Sequence, residues 1–267
     1  MQDLLAAGRL GDALAAQTAL VRAKPLDGDA RYGLAVLLCF AGELDRANAQ
    51  LDALATQTPE LAVGVSHVQS LIHAEAERRA VHERDGVPLL PPDAPPHAEL
   101  RLQALRALRA GESERAGELL ANANGAEAAL EGKLDGESFD ALRDHDDLLG
   151  PTLEVFAAGR YLWLPLERVR RLELAAPKHP LDLLWPSAQL VDSSDAEANV
   201  HLPALYVGSH AAQDDRLRLG RMTDWIDAGG VAFRGIGQKV LLVGRNGAES
   251  ERGLLEVRTL ELSAGRG

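Results

Sequence analysis

The chain has 267 residues, 46% of them apolar and 25% charged, with a formal net charge of −12 and a single cysteine. That composition is ordinary for a folded protein and leaves room for one large or two ordinary domains burying about 70–75% of the unfolded surface. The negative field disfavours nucleic acid and anionic lipid as partners, and one cysteine excludes a disulfide framework.

Aromatic residues make up only 4% of the chain, so the core must be built largely from Leu, Ala and Val, a composition that leans helical. The N-terminus, "MQDLLAAGRLGDALAAQ", has no basic region followed by an unbroken apolar run, so no signal peptide is expected. The apolar run Leu34 to Ala41 is far short of the roughly 20 residues a membrane-spanning helix requires. The expectation is a cytoplasmic protein.

The first half carries an internal repeat. "AGRLGDA" (Ala7 to Ala13) returns as "AGELDRA" (Ala41 to Ala47) at an offset of 34 residues, and Pro25 and Pro59 keep the same offset. This is the tetratricopeptide period, a helix–turn–helix unit that buries its apolar face only by stacking on a neighbour. Gly8 and Gly42 fall where one helix gives way to the next, and small Ala13 and Ala47 allow close helix approach. A third copy, "AGESERA" (Ala110 to Ala116), lies 69 residues beyond the second.

The intervening stretch predicts a long helix over about 61–84, with Val65, Val68, Leu71 and Ile72 at helical spacing. "DGVPLLPPDAPPHAE" follows, and its five prolines, between Pro88 and Pro96, predict an irregular loop or extended strap. Helices are expected again over about 97–109 and 112–123, so residues 1–130 form a helical domain. Arrays of this kind bind peptides or helices in a concave groove. In the second repeat the groove-facing positions are Asp29, Tyr32, Val36, Cys39 and Phe40; packing of some of them beneath the long third helix is the alternative.

Beyond residue 130 the pattern changes. "FDALRDHDDLLGPTLEVFAAG" is expected to be helical, with Asp140, Asp144 and Asp147 on one solvated acidic side. A metal site at "DHDD" is the sharper but less economical reading, because consecutive helical residues diverge. "RYLWLP", "VRRLELA", "AQLVD", "NVHLPALYVG", "RLRLG", "KVLLVG" and "GLLEVRTLEL" read as short strands bounded by Gly, Pro and Asp. Helices followed by strands without alternation define an α+β fold, here a tetratricopeptide-like array with a mainly antiparallel β-rich domain over 131–267.

Several chemical signatures are absent or incomplete. His67 and His73 on the long helix lack i, i+4 spacing, and Ser187, Ser193, Ser194 and Ser209 lack a nucleophile-elbow context. "RGIGQK" has Gly235 and Gly237 but no third glycine and no following helix, which favours a bulge or tight turn over a dinucleotide fingerprint. In "RLRLGR", a strand would project Arg216 and Arg218 from one face while Leu217 and Leu219 point inward; Arg221 follows the strand-breaking Gly220. Surface or internal ion pairs account for the three arginines, and docking of an acidic partner is the sharper alternative. An enzyme reading would have Arg216, Arg218 and Gly237 hold an anion beside a catalytic acid or base.

Five segments, in order, carry a resemblance: "LRDHDDLLGPTLEVFAAGRYLWLPLERVRRLEL", "PLDLLWPSAQLV", "LPALYVGSH", "LRLGRMTDW" and "RGIGQKVLLVG". Together with the repeats, they resemble the ImpE proteins, also called TagJ or SciE, of type VI secretion gene clusters. "KHP" before "LDLLW" departs from the more basic stretch expected there. The resemblance implies a cytoplasmic accessory protein, neither enzyme nor cofactor binder. It also implies binding to a helix of the small (TssB-like) sheath subunit and an influence on sheath recycling by a ClpV-type unfoldase.

Overall fold

The structure, a computed structural model, describes residues 2–263; residue 1 and residues 264–267, the outer ends of the two expected domains, lie outside the described residues. Helices come first: α1 (Gln2–Ala6), α2 (Leu10–Ala23), α3 (Gly28–Phe40), α4 (Leu44–Gln57), α5 (Ala62–Glu83), α6 (Pro96–Arg109) and α7 (Ser113–Gly125). The strands follow as β1 (Gly132–Leu134), β2 (Glu137–Phe139), β3 (Ala141–Asp144), β4 (Thr152–Ala157), β5 (Arg160–Pro165), β6 (Val169–Leu174), β7 (Ser187–Asp192) and β8 (Glu197–His201). A short helix α8 (Asp215–Arg218) precedes β9 (Thr223–Asp227), β10 (Phe233–Gly237), β11 (Val240–Arg245), β12 (Ala248–Gly253) and β13 (Thr259–Leu262). The fold class is α+β, as expected.

The repeat is built as its sequence implies. Gly8, Gly42 and Gly111 occupy the same turn in the three copies with φ of +70°, +78° and +74°, a conformation glycine adopts without a Cβ penalty. Ala13, Ala47 and Ala116, five residues further on, are buried and let adjacent helices close on one another. Pro25 and Pro59 lie just beyond the ends of α2 and α4.

The strands form three sheets. Eight strands run in the order β2-β1-β13-β6-β7-β8-β4-β5, three in the order β12-β11-β3, and β9 pairs with β10 as a hairpin; all strand pairs are antiparallel. The outer strand β5 would leave an unpaired edge, and the proline-rich strap covers part of it. Leu89 forms a parallel bridge to Leu162, donating to the Tyr161 carbonyl and accepting from the Trp163 amide at 3.2 and 2.9 Å.

Two expected elements differ. "FDALRDHDDLLGPTLEVFAAG" is not a helix: it is the end of β2, then β3, a turn and β4. The cause is non-local, since β3 pairs with β11 from Ala141↔Gly244 to Asp144↔Leu241, and that partner lies about a hundred residues downstream. "RLRLGR" is not a strand but helix α8 and its exit turn, capped by the Asp214 carboxylate accepting from the Arg216 amide at 2.8 Å. Leu217 and Leu219 are buried there, as alternation predicted for a strand, because a single helical turn also separates them from the arginines.

Gly42 adds a test of the junction. A Cβ at this position would stand 2.2 Å from His210 Cδ2, whereas nothing lies within 4 Å of one at Gly111. Gly42→Ala is expected to lower unfolding stability by about 1–3 kcal/mol, with Gly111→Ala costing the smaller, purely backbone part. Urea midpoints at unchanged m-value check this, and adding His210→Ala should recover part of the Gly42→Ala loss.

Candidate functional site

Helix α5 carries one continuous inward stripe whose chemistry changes halfway. Val65, Val68, Leu71 and Ile72 make its first part apolar; Glu75, Arg78 and His82 continue it at i+3 and i+4 steps, and all are buried. A buried ionic stripe needs partners, and all three sheets supply them.

Glu154 of β4 receives Arg78 in a two-pronged pair, Nε to Oε1 and Nη2 to Oε2, both at 2.8 Å. Arg78 Nη2 also donates to the Leu205 carbonyl at 2.9 Å, and its Nη1 lies 3.3 Å from Glu75 Oε2. Lys239, just before β11, bridges Glu154 and Asp144 with Nζ at 2.8 and 2.9 Å. Asp144, the last residue of β3, accepts in addition from Tyr206 Oη at 2.7 Å and the Asp146 amide at 2.9 Å. Asp146 is held by Arg234 of β10 at 2.8 Å and by the Gly235 amide at 3.0 Å. Arg79 completes the set, pairing with Glu75 at 3.0 Å and reaching the Gly42 carbonyl at 2.9 Å. Arg78, Arg79, Arg234 and Lys239 thus face Glu75, Asp144, Asp146 and Glu154, so the charges balance.

His82 sits at the centre, Nε2 3.1 Å from Glu154 Oε1 and Nδ1 3.2 Å from Arg234 Nη2. A guanidinium can only donate, so Nδ1 accepts and Nε2 carries the proton donated to Glu154; the imidazole is neutral. Burial lowers its pKa, and Arg234 and Arg78 add to that. Burial alone would raise the Glu154 carboxyl, but Arg78 and Lys239 hold it well below the usual carboxylate range. Burial raises Asp144 despite Lys239. Tyr161 donates its hydroxyl to Glu154 and accepts from the Trp163 indole, closing the network on the strap-covered strand β5.

The groove-facing candidates separate into two groups. Asp29 and Tyr32 remain exposed at the start of α3, whereas Val36, Cys39 and Phe40 are buried. What covers the latter is not the long third helix alone. Cys39 and Phe40 line a cavity of about 30 Å³ with Leu184, Trp185, Leu205, Tyr206 and His210 from the sheet half, together with Glu75, Arg78 and Arg79. Burial pushes the Cys39 thiol up to about 12, so it is no nucleophile at neutral pH. The face by which such repeats receive peptides is closed by the protein's own second half.

The arginines also serve the junction. Arg221 donates to the Ala6 carbonyl at the end of α1, while Asp215 accepts from the Gly11 amide in the first turn of α2 at 3.2 Å. Both placements complement the helix dipoles. Arg218 pairs with Asp215 at 2.9 Å and Arg216 with Asp214 at 2.6 Å. The Gly237 amide donates to Ser209 Oγ at 2.8 Å. Arg216, Arg218 and Gly237 therefore have protein partners of their own instead of converging on an anion. Of the expected solvated acidic side, Asp140 is exposed and Asp147 half-buried beside Arg143 at 3.4 Å, whereas Asp144 is instead a buried counter-ion, as is its neighbour Asp146.

Sequence reasoning missed Glu75, Arg78, His82, Glu154, Arg234 and Lys239. The available signal was the charged continuation of the α5 stripe, together with Glu154 inside the apolar "TLEVFA" strand, where β4 buries residues on both faces. Among the described residues, no three His, Cys, Asp or Glu side chains converge as metal ligands, and no helix is long and apolar enough to cross a membrane.

Stacked tetratricopeptide-type helices locked onto an antiparallel sheet unit define the class of the protein. Residues 4–71 match the tetratricopeptide repeat, and residues 136–261 match the ImpE protein family. The type VI secretion system accessory component TagJ of Pseudomonas aeruginosa is 36% identical over 228 residues, 85% of this chain and 81% of that protein. The crystal structure of protein VPA1032 from Vibrio parahaemolyticus has a TM-score of 0.90 at 25% identity, covering 99% of this chain and 98% of that one. The chain belongs to the ImpE family.

Removing one charge from the network should be costly. Glu154→Gln leaves Arg78 and Lys239 short of a counter-ion, and a loss of about 3–5 kcal/mol is expected by chemical denaturation. The pH dependence follows from the histidines. His82 is lowered below its ordinary 6.5 and His201 falls to about 4, chiefly by burial, so the unfolded chain protonates first. Stability should be fully present above pH 6.5 and fall as pH drops from there toward 4. His201→Gln should flatten part of that fall in denaturation midpoints measured across the range.

Proposed function

We propose that this protein is a non-enzymatic accessory component of a type VI secretion system, and that it binds a helix of the small (TssB-like) sheath subunit. Through that contact it would bias how a ClpV-type unfoldase recycles the contracted sheath. The observation that carries this reading is the 36% identity to the TagJ accessory component over 85% of the chain. The chemistry is consistent with it. The ionisable groups at the junction are committed to one another in a buried, charge-balanced set, which suits holding shape and not turnover.

The available surface then lies away from the filled groove. Among the described residues, five of the nine exposed large apolar side chains, Leu20, Leu26, Tyr32, Leu61 and Val63, fall at one end of the repeat helices. That end comprises the finish of α2 and α4 and the start of α3 and α5. Asp29 stands beside them. An amphipathic partner helix has apolar surface to cover there, whereas Val36, Cys39 and Phe40 offer none.

The intact protein, co-expressed with the small sheath subunit, should co-purify with it at fixed stoichiometry. Leu61→Asp combined with Val63→Asp should weaken the complex by at least about tenfold while leaving the thermal midpoint unchanged, since both side chains are exposed. No association between the two folded proteins would overturn the reading.

A further inference from the structure

Within the buried ionic set, Lys239 and Asp144 bring an amine against a carboxyl, two groups that can condense. They stand 95 residues apart in sequence; Asp144 closes β3, and Lys239 lies just before the partner strand β11. Lys239 Nζ is 2.9 Å from Asp144 Oδ2 and 2.8 Å from Glu154 Oε2. The side chains of Lys239, Asp144 and Glu154 are 5%, 6% and 1% exposed, so the contact is closed to bulk water. The Tyr206 ring covers Nζ at 4.8 Å from its centre.

The two Asp144 oxygens have different surroundings. Oδ1 accepts from Tyr206 Oη at 2.7 Å and from the Asp146 amide at 2.9 Å, the two-donor arrangement that stabilises charge developing on a carbonyl oxygen. Oδ2 faces the lysine amine. Burial raises the Asp144 carboxyl, which favours moving a proton from Nζ to Oδ2 along the existing hydrogen bond. That transfer leaves a neutral amine beside a neutral carboxylic acid. We propose that Lys239 and Asp144 condense in the folded protein to an isopeptide amide, with Glu154 as the proton shuttle.

In this step the Nζ lone pair attacks Asp144 Cγ, and the charge developing on Oδ1 is held by Tyr206 and the Asp146 amide. Glu154 takes a proton from Nζ and returns it to the departing Oδ2 hydroxyl. A Cγ–Nζ bond forms, the Cγ–Oδ2 bond breaks and one water leaves, with nothing oxidised or reduced. Holding the two groups in contact replaces a bimolecular encounter. The cavity of about 30 Å³ is lined by Arg78 and Tyr206, which touch Glu154 and Asp144, and it has room for the released water. Condensation removes one charge of each sign. Arg78, Arg79 and Arg234 then face Glu75, Asp146 and Glu154, so the remaining set is still balanced. The bond fixes the end of β3 to the start of β11 and constrains the unfolded chain. It stands independently of the sheath-binding reading.

The test is the intact mass of the full chain, purified folded and held at neutral pH. A mass one water below that of the sequence is expected, with a proteolytic fragment joining the Lys239 peptide to the Asp144 peptide. Lys239→Arg removes the amine that condenses and should show the full mass. Glu154→Gln keeps both reacting groups and should leave them unjoined; the wild-type mass carries the test even where that variant does not fold. A wild-type chain at full mass, with Lys239 and Asp144 in separate fragments, means an ionic contact only and overturns the proposal. Water loss that persists in Lys239→Arg comes from cyclisation elsewhere, as at Asp135–Gly136, and also overturns it.

Discussion

The arginine–carboxylate pair between Arg78 and Glu154 is the constraint around which the remaining junction is arranged. Each partner is nearly without solvent contact, so neither charge is tolerable without the other. Apolar packing alone would let α5 slide on the sheet at modest cost. One helical turn, about 5.4 Å, would instead strand two buried charges. The pair therefore acts less as a source of net stability than as a register mark. Lys239 and Arg234 extend the same logic, since they bring the three-stranded sheet and the hairpin onto the same helix through Asp144, Asp146 and His82. One helix, four buried carboxylates and three sheets make a single ionic assembly.

That assembly explains why the repeat helices do not present an open groove. The faces of α3 and α5 that would line it are covered by Leu184, Trp185, Tyr206 and β4–β5, and one buried apolar cluster joins the two halves, its members ranging from Leu5 to Ala232. A second apolar cluster fills the interior of the sheet half, from Leu130 to Leu262. The two halves thus share one packed junction, in which α5 lies directly against β4 and β5, the strands around Glu154. Tetratricopeptide helices here are structural members of one body, and the exposed apolar side chains Leu20, Leu26, Tyr32, Leu61 and Val63 lie at their loop end.

Much was legible from residue order. The period of 34, its glycines, the long helix at 61–84, the strap between Pro88 and Pro96 and most of the strands follow from local rules, because turn glycines, prolines and short apolar runs act on their immediate neighbours. The misread segments share one cause. "LRDHDDLLG" looks helical and acidic by itself; it becomes strand and buried counter-ion because β11 and Lys239, about a hundred residues away, demand it. "RLRLGR" alternates like a strand, yet the Asp214 cap and the ends of α1 and α2 make a helical turn the better home for Asp215 and Arg221.

What the sequence by itself determined is the set of local elements, the repeat architecture and membership in a family, each of which depends on spacing along the chain. Tertiary structure alone decided which charges are buried and which face of the helices stays open. Those outcomes depend on partners brought together across separations such as 76 residues for Arg78 and Glu154. Burial energy is set by what surrounds a side chain in space, and no local pattern encodes it.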